Sequence, residues 1–191
     1  MTINENVKSN VGIKIINGAL SSGILWVSGF ALLTVIAAQV SVPVQPVPFT
    51  LQTMFVILAG AFLGAKNGAY SQGMYLAMGA LGLPVFANLS GFTSLLGPTA
   101  GYLLAFPAGA FIAGLLIQRS KSFASVFISM TVANLAIVFT GATYLSLFFN
   151  RTFSDALFVG GVVFSVWDLI KIAAASGIYF AISKKYHRLP L

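Results

Sequence analysis

The sequence predicts an all-α, polytopic membrane protein with six transmembrane helices, both termini in the cytoplasm and structured extracellular loops. Hydrophobic residues make up 58% of the 191 residues and charged residues only 7%, whereas a soluble domain carries about 25% charged residues. The mean hydropathy is +0.96. Six apolar stretches follow one another, and the basic residues fall between them. We therefore interpret residues 1–191 as a single six-helix transmembrane domain, with residues 1–18 as a polar cytoplasmic N-terminal segment.

Each apolar stretch predicts one helix, because a helix that crosses a bilayer needs about 20 apolar residues. The stretches are residues 20–40, 50–65, 68–83, 102–117, 123–149 and 160–183. The second and third are short and are separated by Lys66 and Asn67. A re-entrant hairpin is therefore a rival to two full spans, although it would bury Lys66 at mid-membrane without a partner. A short polar loop with Asn150, Arg151 and Asp155 precedes the sixth stretch.

The distribution of basic residues predicts the orientation. Six helices place both termini on one side, together with Lys8, Lys14, Lys66, Arg119, Lys121, Lys184, Lys185 and Arg188. Only Arg151 falls in a loop on the other side. Cytoplasmic loops carry an excess of Lys and Arg, so the base-rich side is predicted to be cytoplasmic. The loops 41–49 and 84–101 then face outside, where Gln39 suits the polar end of the first helix.

Composition excludes several classes of function. The chain has no cysteine, so it forms no disulfide and no thiolate metal site. Three acidic residues and the single His187 are too few for a conventional metal cluster or a carboxylate dyad. Residues 60–66 (GAFLGAK) lack the spacing of a phosphate-binding loop. We therefore expect neither an enzyme nor a metal or cofactor, and the scattered bases argue against nucleic acid.

Asp168 and Lys171 form the main candidate site. They lie inside the last apolar stretch, with Asp168 about two turns into the predicted sixth helix, and their three-residue spacing puts both on one helix face. An ionisable group at membrane depth is costly and indicates function by default. A purely structural ion pair is the alternative, although desolvation makes such pairs poor stabilisers. The pair offers one acceptor and one donor to a small solute.

Further candidates lie at helix starts and in the outer loops. Gln52 either caps the second helix or binds a ligand. Asn88 either satisfies the backbone of its loop or contacts a ligand, in a stretch with Gly91 and Phe92 that is too apolar for a solvated linker. Tyr102 is either an interfacial anchor or a wall of a pocket.

Four motifs resemble the BioY family, the biotin-specific substrate-capture subunits (S components) of energy-coupling factor (ECF) transporters. They are PVPFTLQT (46–53), GALGLPVFA (79–87), LLGPTAGYLLAF (95–106) and DLIK (168–171), in the family's order. The resemblance extends over about residues 29–185. One departure is that Ser165, Val166 and Trp167 precede Asp168, where the family often has Pro-Gly.

The resemblance implies an outward-facing biotin pocket in the plasma membrane of a bacterium, and transport with a transmembrane coupling subunit and two cytoplasmic ATPases. The ureido ring of biotin presents two N–H donors, which Asp168 can accept, and a carbonyl, to which Lys171 can donate. Asn88 and loop N–H groups are candidates for the valerate carboxylate, unless the ligand is reversed and Lys171 binds it. The alternative function is a self-sufficient small-solute secondary transporter or channel, which would work without ATPases.

Overall fold

The computed structural model describes residues 23–119 and 122–184. Their α-helices are α1 (Gly23–Gln39), α2 (Gln52–Ala80), α3 (Ala100–Ile117), α4 (Phe123–Phe148), α5 (Phe153–Gly160) and α6 (Ser165–Ser183). An antiparallel ribbon joins α1 to α2, with β1 (Ser41–Val42) paired to β2 (Phe49–Thr50). Short 3₁₀ turns cover Ala87–Leu89, Phe92–Leu95 and Val162–Phe164. The predicted N-terminal segment, the start of the first predicted span, Lys121 and the tail bases after Lys184 lie outside the described residues.

The outer surface of the helices is apolar. Within the described residues, α3, α4 and α6 are long and apolar enough to cross a membrane, and α1 is a shorter apolar helix. Ile128, Val132, Leu135 and Phe139 form an exposed stripe along α4. A soluble monomer rarely exposes so large a continuous apolar surface. The protein is therefore embedded in a membrane, and the predicted all-helical class agrees with the structure.

The element α2 consists of two antiparallel arms, residues 52–63 and 65–80, which fold back on each other at Gly64. Gly64 has φ 78° and ψ 174°, a conformation that essentially only glycine adopts. A Cβ added to Gly68 would lie 2.7 Å from the Cα of Gly60, so the two arms touch backbone to backbone. The two short predicted stretches are therefore these arms. Lys66, beside the turn, is exposed.

The first arm of α2 forms the centre of the molecule, since every residue from position 56 to 65 is buried. Helix α3 packs closely against the hairpin, and a Cβ on Gly114 would lie 2.7 Å from the Cα of Ala65. Small residues of α2 and α3 thus serve internal packing, as small-xxx-small spacing permits. On α1, by contrast, a Cβ on Gly29 would meet nothing within 4 Å.

The structure corrects two predictions near the C-terminal end. The stretch predicted as a polar loop contains helix α5, whose start is capped: Thr152 Oγ1 accepts from the Asp155 backbone N–H at 3.3 Å and donates to its carboxylate at 2.7 Å. Thr-x-x-Asp is a capping-box spacing. Helix α6 begins at Ser165 rather than residue 160, because the chain turns at Gly161. Asp168 therefore lies in the first turn of α6, not two turns into it.

Candidate substrate-binding site

A cavity of about 280 Å³ lies between the β1–β2 loop, the start of α2, the loop before α3, and helices α3, α4 and α6. This volume is close to the lower end of the range for small-molecule sites, about 300–1,000 Å³. Its apolar walls include Val47, Phe49, Phe86, Leu103, Phe106 and Ile137. Five predicted site residues line it: Gln52, Asn88, Tyr102, Asp168 and Lys171. The fold thus brings together residues that are distant in the sequence.

Lys171 is the most fully engaged polar group of the cavity. Its Nζ lies 2.8 Å from Asp168 Oδ1 and donates to Thr53 Oγ1 at 2.7 Å and to the Thr50 carbonyl at 3.2 Å. An ammonium has three N–H donors, so each has a partner. The side chain is buried. A ligand acceptor at Lys171 must therefore displace one of these contacts, and the longest, to Thr50, is the most easily replaced.

Asp168 keeps spare acceptor capacity. Its Oδ1 accepts from Lys171 and its Oδ2 accepts from Asn134 Nδ2 at 3.1 Å. An ionised carboxylate offers about four acceptor sites, and 13% of this side chain is exposed. In the described residues no three His, Cys, Asp or Glu side chains come together as metal ligands. The chemistry offered here is hydrogen bonding by a charge-balanced pair.

Aromatic rings cover one side of this pair. Lys171 Nζ lies 4.8 Å from the centroid of the Phe49 ring, within the range of a cation–π contact. Phe49 in turn packs on Trp167, with ring centroids 5.4 Å apart. The β2 strand, which ends at Thr50, thereby places both an aromatic ring and a carbonyl against the ammonium.

Gln52 and Thr50 form a polar chain at the start of α2. Thr50 Oγ1 donates to Gln52 Oε1 at 2.8 Å and accepts from the Gln52 backbone N–H at 3.3 Å. Gln52 Nε2 donates to the Tyr75 hydroxyl, which donates to the Val85 carbonyl at 3.2 Å. Thr50 thus satisfies the N–H of the first residue of α2 from one position before the N-cap, Leu51, while Gln52 joins the cavity to the outer loop.

The outer loop is held mainly by Gln39. Its Nε2 donates to the Phe86 carbonyl at 3.0 Å and its Oε1 accepts from the Leu89 N–H at 3.2 Å. Sequence reasoning gave the role of satisfying this backbone to Asn88 as one alternative. Asn88 instead accepts from Ser41 Oγ at 3.2 Å and adopts the left-handed conformation, with φ 58°. Its side chain lies at the rim of the cavity.

Tyr102 is a wall of the cavity rather than an exposed anchor. The side chain is buried, and its hydroxyl donates to the Gly160 carbonyl at 2.8 Å. A Cβ on Gly160 or Gly141 would collide with this side chain. Because neither glycine has a side chain, there is room for the Tyr102 ring and hydroxyl.

Gly91 and Phe92 do not line the cavity. The 3₁₀ turn Phe92–Leu95 contributes Ser94 to the cavity, whereas the Phe92 side chain does not line it and is 50% exposed. A Cβ on Gly91 would lie 2.9 Å from the Leu83 carbonyl, so this glycine serves loop packing. Their role as substrate contacts stays a prediction, and this placement does not support it.

Sequence reasoning missed Thr53, Asn134 and Phe49. Thr53 and Phe49 belong to the motif PVPFTLQT (46–53), of which Gln52 alone is a predicted site residue. Asn134 carries the only side-chain amide of α4, whose other polar residues are serines, threonines and a tyrosine. A polar residue in a membrane helix usually faces the interior of the protein. This rule identifies Asn134 as a candidate interior residue, but it does not predict which residue Asn134 contacts.

Two curated proteins illustrate the similarity to known sequences. The chain is 42% identical over 156 residues to the biotin transporter BioY of Thermotoga maritima, covering 81% of this chain and 92% of that protein. It is 43% identical over 147 residues to the probable biotin transporter BioY of Pyrococcus horikoshii, covering 76% and 86% respectively.

The fold also matches a solved structure, the S-component for biotin from an ECF-type ABC transporter at 2.1 Å. The TM-score is 0.78 and the sequence identity 28%, over 96% of this chain and 95% of that one. The profile of the BioY family matches residues 8–188. The resemblance carried by the four motifs is confirmed: this chain belongs to the BioY family.

Proposed function

We propose that this chain is the biotin-binding, substrate-capture subunit of an ECF-type vitamin importer. One observation carries the proposal: the cavity places the partly exposed Asp168 carboxylate, balanced by Lys171, among apolar and aromatic walls. A solute with polar N–H donors at one end and an apolar body suits that lining. The names of the relatives and of the matching structure point to the same solute.

The ureido ring is assigned to Asp168. Both carboxylate oxygens already accept one bond each, and about two of the four acceptor sites of a carboxylate remain for N–H groups of the ligand. Bonds to an ionised acceptor are roughly twice as strong as neutral ones. The ureido carbonyl would take one N–H of Lys171 in exchange for the Thr50 carbonyl, which is the longest of the three contacts.

The valerate carboxylate is assigned to the outer loop. The Asn88 amide and the hydroxyls of Ser90, Ser94 and Thr99 line the cavity there. Ser90 Oγ donates to the Ala87 carbonyl at 2.7 Å and lies 2.6 Å from Ser94 Oγ, so Ser94 would turn its proton from Ser90 toward the anion. The reversed ligand, with its carboxylate at Lys171, remains the competing orientation. It would place a second anion beside Asp168, and like charges at that distance repel.

Topology and partners complete the proposal. The multi-pass protein lies in the bacterial plasma membrane with both termini in the cytoplasm, which the exposed Lys66 and Arg119 support through the positive-inside rule. It captures biotin from outside and delivers it with a transmembrane coupling subunit and two cytoplasmic ATPases. No part of the function requires catalysis by this chain.

Calorimetric titration of the purified protein with biotin tests the proposal. We expect tight 1:1 binding that Asp168→Asn and Lys171→Ala both weaken, because each removes a charged partner. Asp155→Asn is the matched control, since that carboxylate is exposed and caps α5. A folded parent that binds no biotin would contradict the function, and a folded Asp168→Asn variant with parental affinity would contradict the ureido assignment. Uptake into liposomes without ATPases would favour the self-sufficient transporter.

A further inference from the structure

Asn134 of α4 lies directly behind the polar end of the cavity. Its side chain is 3% exposed, and its Nδ2 donates to Asp168 Oδ2 at 3.1 Å. Ile137 and Val138, three and four residues further along α4, line the cavity. Residues at these spacings share a helix face. Asn134 therefore lies on the same face of α4 as these wall residues, one turn away and behind Asp168, without itself lining the cavity.

The other end of this amide is unsatisfied. Asn134 Oδ1 is buried and has no hydrogen-bond partner among residues 23–119 and 122–184. A buried acceptor without a donor lowers stability, and native structures contain few such groups. Asn134 cannot relieve this by flipping its amide, because its oxygen would then face the Asp168 carboxylate. A donor from outside the described side chains, such as an N–H group of a bound ligand, would satisfy this oxygen.

We propose that Asn134 is a specificity-determining residue of the site: its Oδ1 accepts one ureido N–H of biotin while Asp168 accepts the other. Its Nδ2 at the same time fixes the direction in which the Asp168 carboxylate points. This inference rests on the proposed function, and it adds an assignment for each ureido nitrogen. A neutral acceptor beside a charge-balanced pair selects a ligand with two adjacent N–H donors and no positive charge, which describes a cyclic urea.

Asn134 has a competing role that makes a different prediction. If Asp168 accepted both N–H groups, Asn134 would act only as a support for the carboxylate. Substituting Asn134 would then weaken every ligand by the same factor. If Asn134 instead binds one N–H directly, the effect of the substitution depends on whether the ligand still has that N–H. The two roles are separated by measuring whether the effect of the Asn134 substitution on affinity depends on which ligand is bound.

The experiment compares biotin with its two lactam analogues, in each of which a methylene group replaces one ureido N–H. Calorimetry measures the affinity of all three for the parent and for Asn134→Leu, which keeps the branched shape of the side chain. In the parent we expect each analogue to bind about 10- to 100-fold more weakly than biotin, because each leaves one acceptor unpaired. In Asn134→Leu we expect biotin to bind more weakly than it binds to the parent. One analogue should then bind about as tightly as biotin does.

Two further variants complete the test. Thr140→Val is the matched control, since this exposed hydroxyl of α4 bonds only its own helix, and it should keep the parental pattern. Asn134→Ser removes the amide without overfilling the site and replaces Asn134→Leu if that variant does not fold. If each analogue is weakened relative to biotin by the same factor in the Asn134 variant as in the parent, the inference is overturned and the proposed function stays intact. A folded parent that does not bind biotin would overturn both.

Discussion

Lys171→Met removes the ammonium while keeping the length of the side chain. Asp168 then loses a counter-ion at 2.8 Å, and two acceptors on α2 and its preceding strand lose a donor. Breaking a buried ion pair from one side costs about 3–5 kcal/mol. Because 13% of the Asp168 side chain is exposed to solvent, we expect the lower end of that range, about 3 kcal/mol.

The double variant decides whether the charge causes this loss. Asp168→Asn alone leaves the Lys171 ammonium without an opposite charge, and we expect it to cost about 2 kcal/mol, because the amide oxygen still accepts a bond. Lys171→Met combined with Asp168→Asn leaves no unpaired charge. We therefore expect its loss to be smaller than the sum of the single losses by about 2 kcal/mol, within the range of coupling for contacting residues.

Stability is measured by reversible unfolding in mixed micelles, with increasing denaturing detergent and far-ultraviolet circular dichroism as the readout of helix. Lys66→Met is the control, since its ammonium is exposed beside the turn of α2; it should change stability by no more than about 0.5 kcal/mol. Strictly additive losses in the double variant would refute the reasoning, because the two charges would then not stabilise each other.

Three other substitutions test the fold and the cavity wall. Gly64→Ala forces a Cβ into a conformation reserved for glycine and should lower the free energy of unfolding by about 1–3 kcal/mol. Gly73→Ala, inside the helix with open space around it, should raise it by up to about 1 kcal/mol. Equal effects of the two substitutions would contradict the turn at Gly64. Gly160→Ala places a methyl group against the Tyr102 hydroxyl, and overpacking of about 1–3 kcal/mol should lower biotin affinity at least several-fold by calorimetry; unchanged affinity would show that this wall is not used. Gln39→Ala should speed amide hydrogen exchange at Phe86 and its neighbours, and unaltered exchange would mean that other contacts hold the loop.

The apolar stretches of the sequence predicted the start of α4 correctly but missed α5 and misplaced the start of α6. The start of α4 at residue 123 follows Ser122, whose side chain accepts from the Ser125 N–H at 3.2 Å, and the predicted and observed starts coincide. The predicted start of α6 was wrong, because apolar residues 160–164 read like helix while the chain turns at Gly161. Hydrophobicity locates membrane segments, but it does not separate a 3₁₀ turn from the first turn of a helix.

The site was predictable only in part. The three-residue spacing of Asp168 and Lys171 is a helical relationship, so their proximity follows from sequence alone. Their other partners, Thr53 and Asn134, are 118 and 34 residues away from the group each contacts. Which face a single polar residue presents, and to which helix, depends on tertiary packing. For that reason sequence reasoning identified the charges of the site and not the side chains that orient them.

The first arm of α2 is too short to traverse a bilayer. Residues 52–63 rise about 18 Å at 1.5 Å per residue, whereas the hydrocarbon core is about 30 Å thick. Other helices enclose this arm, so the bilayer does not have to become thinner to match its length. The difference, roughly 12 Å by these values, leaves room beyond Gln52, where residues 47–50 and the cavity are found. The ligand therefore binds where a longer helix would have continued, and an insertion that added one helical turn, about 5.4 Å, before Gln52 would occupy part of that space.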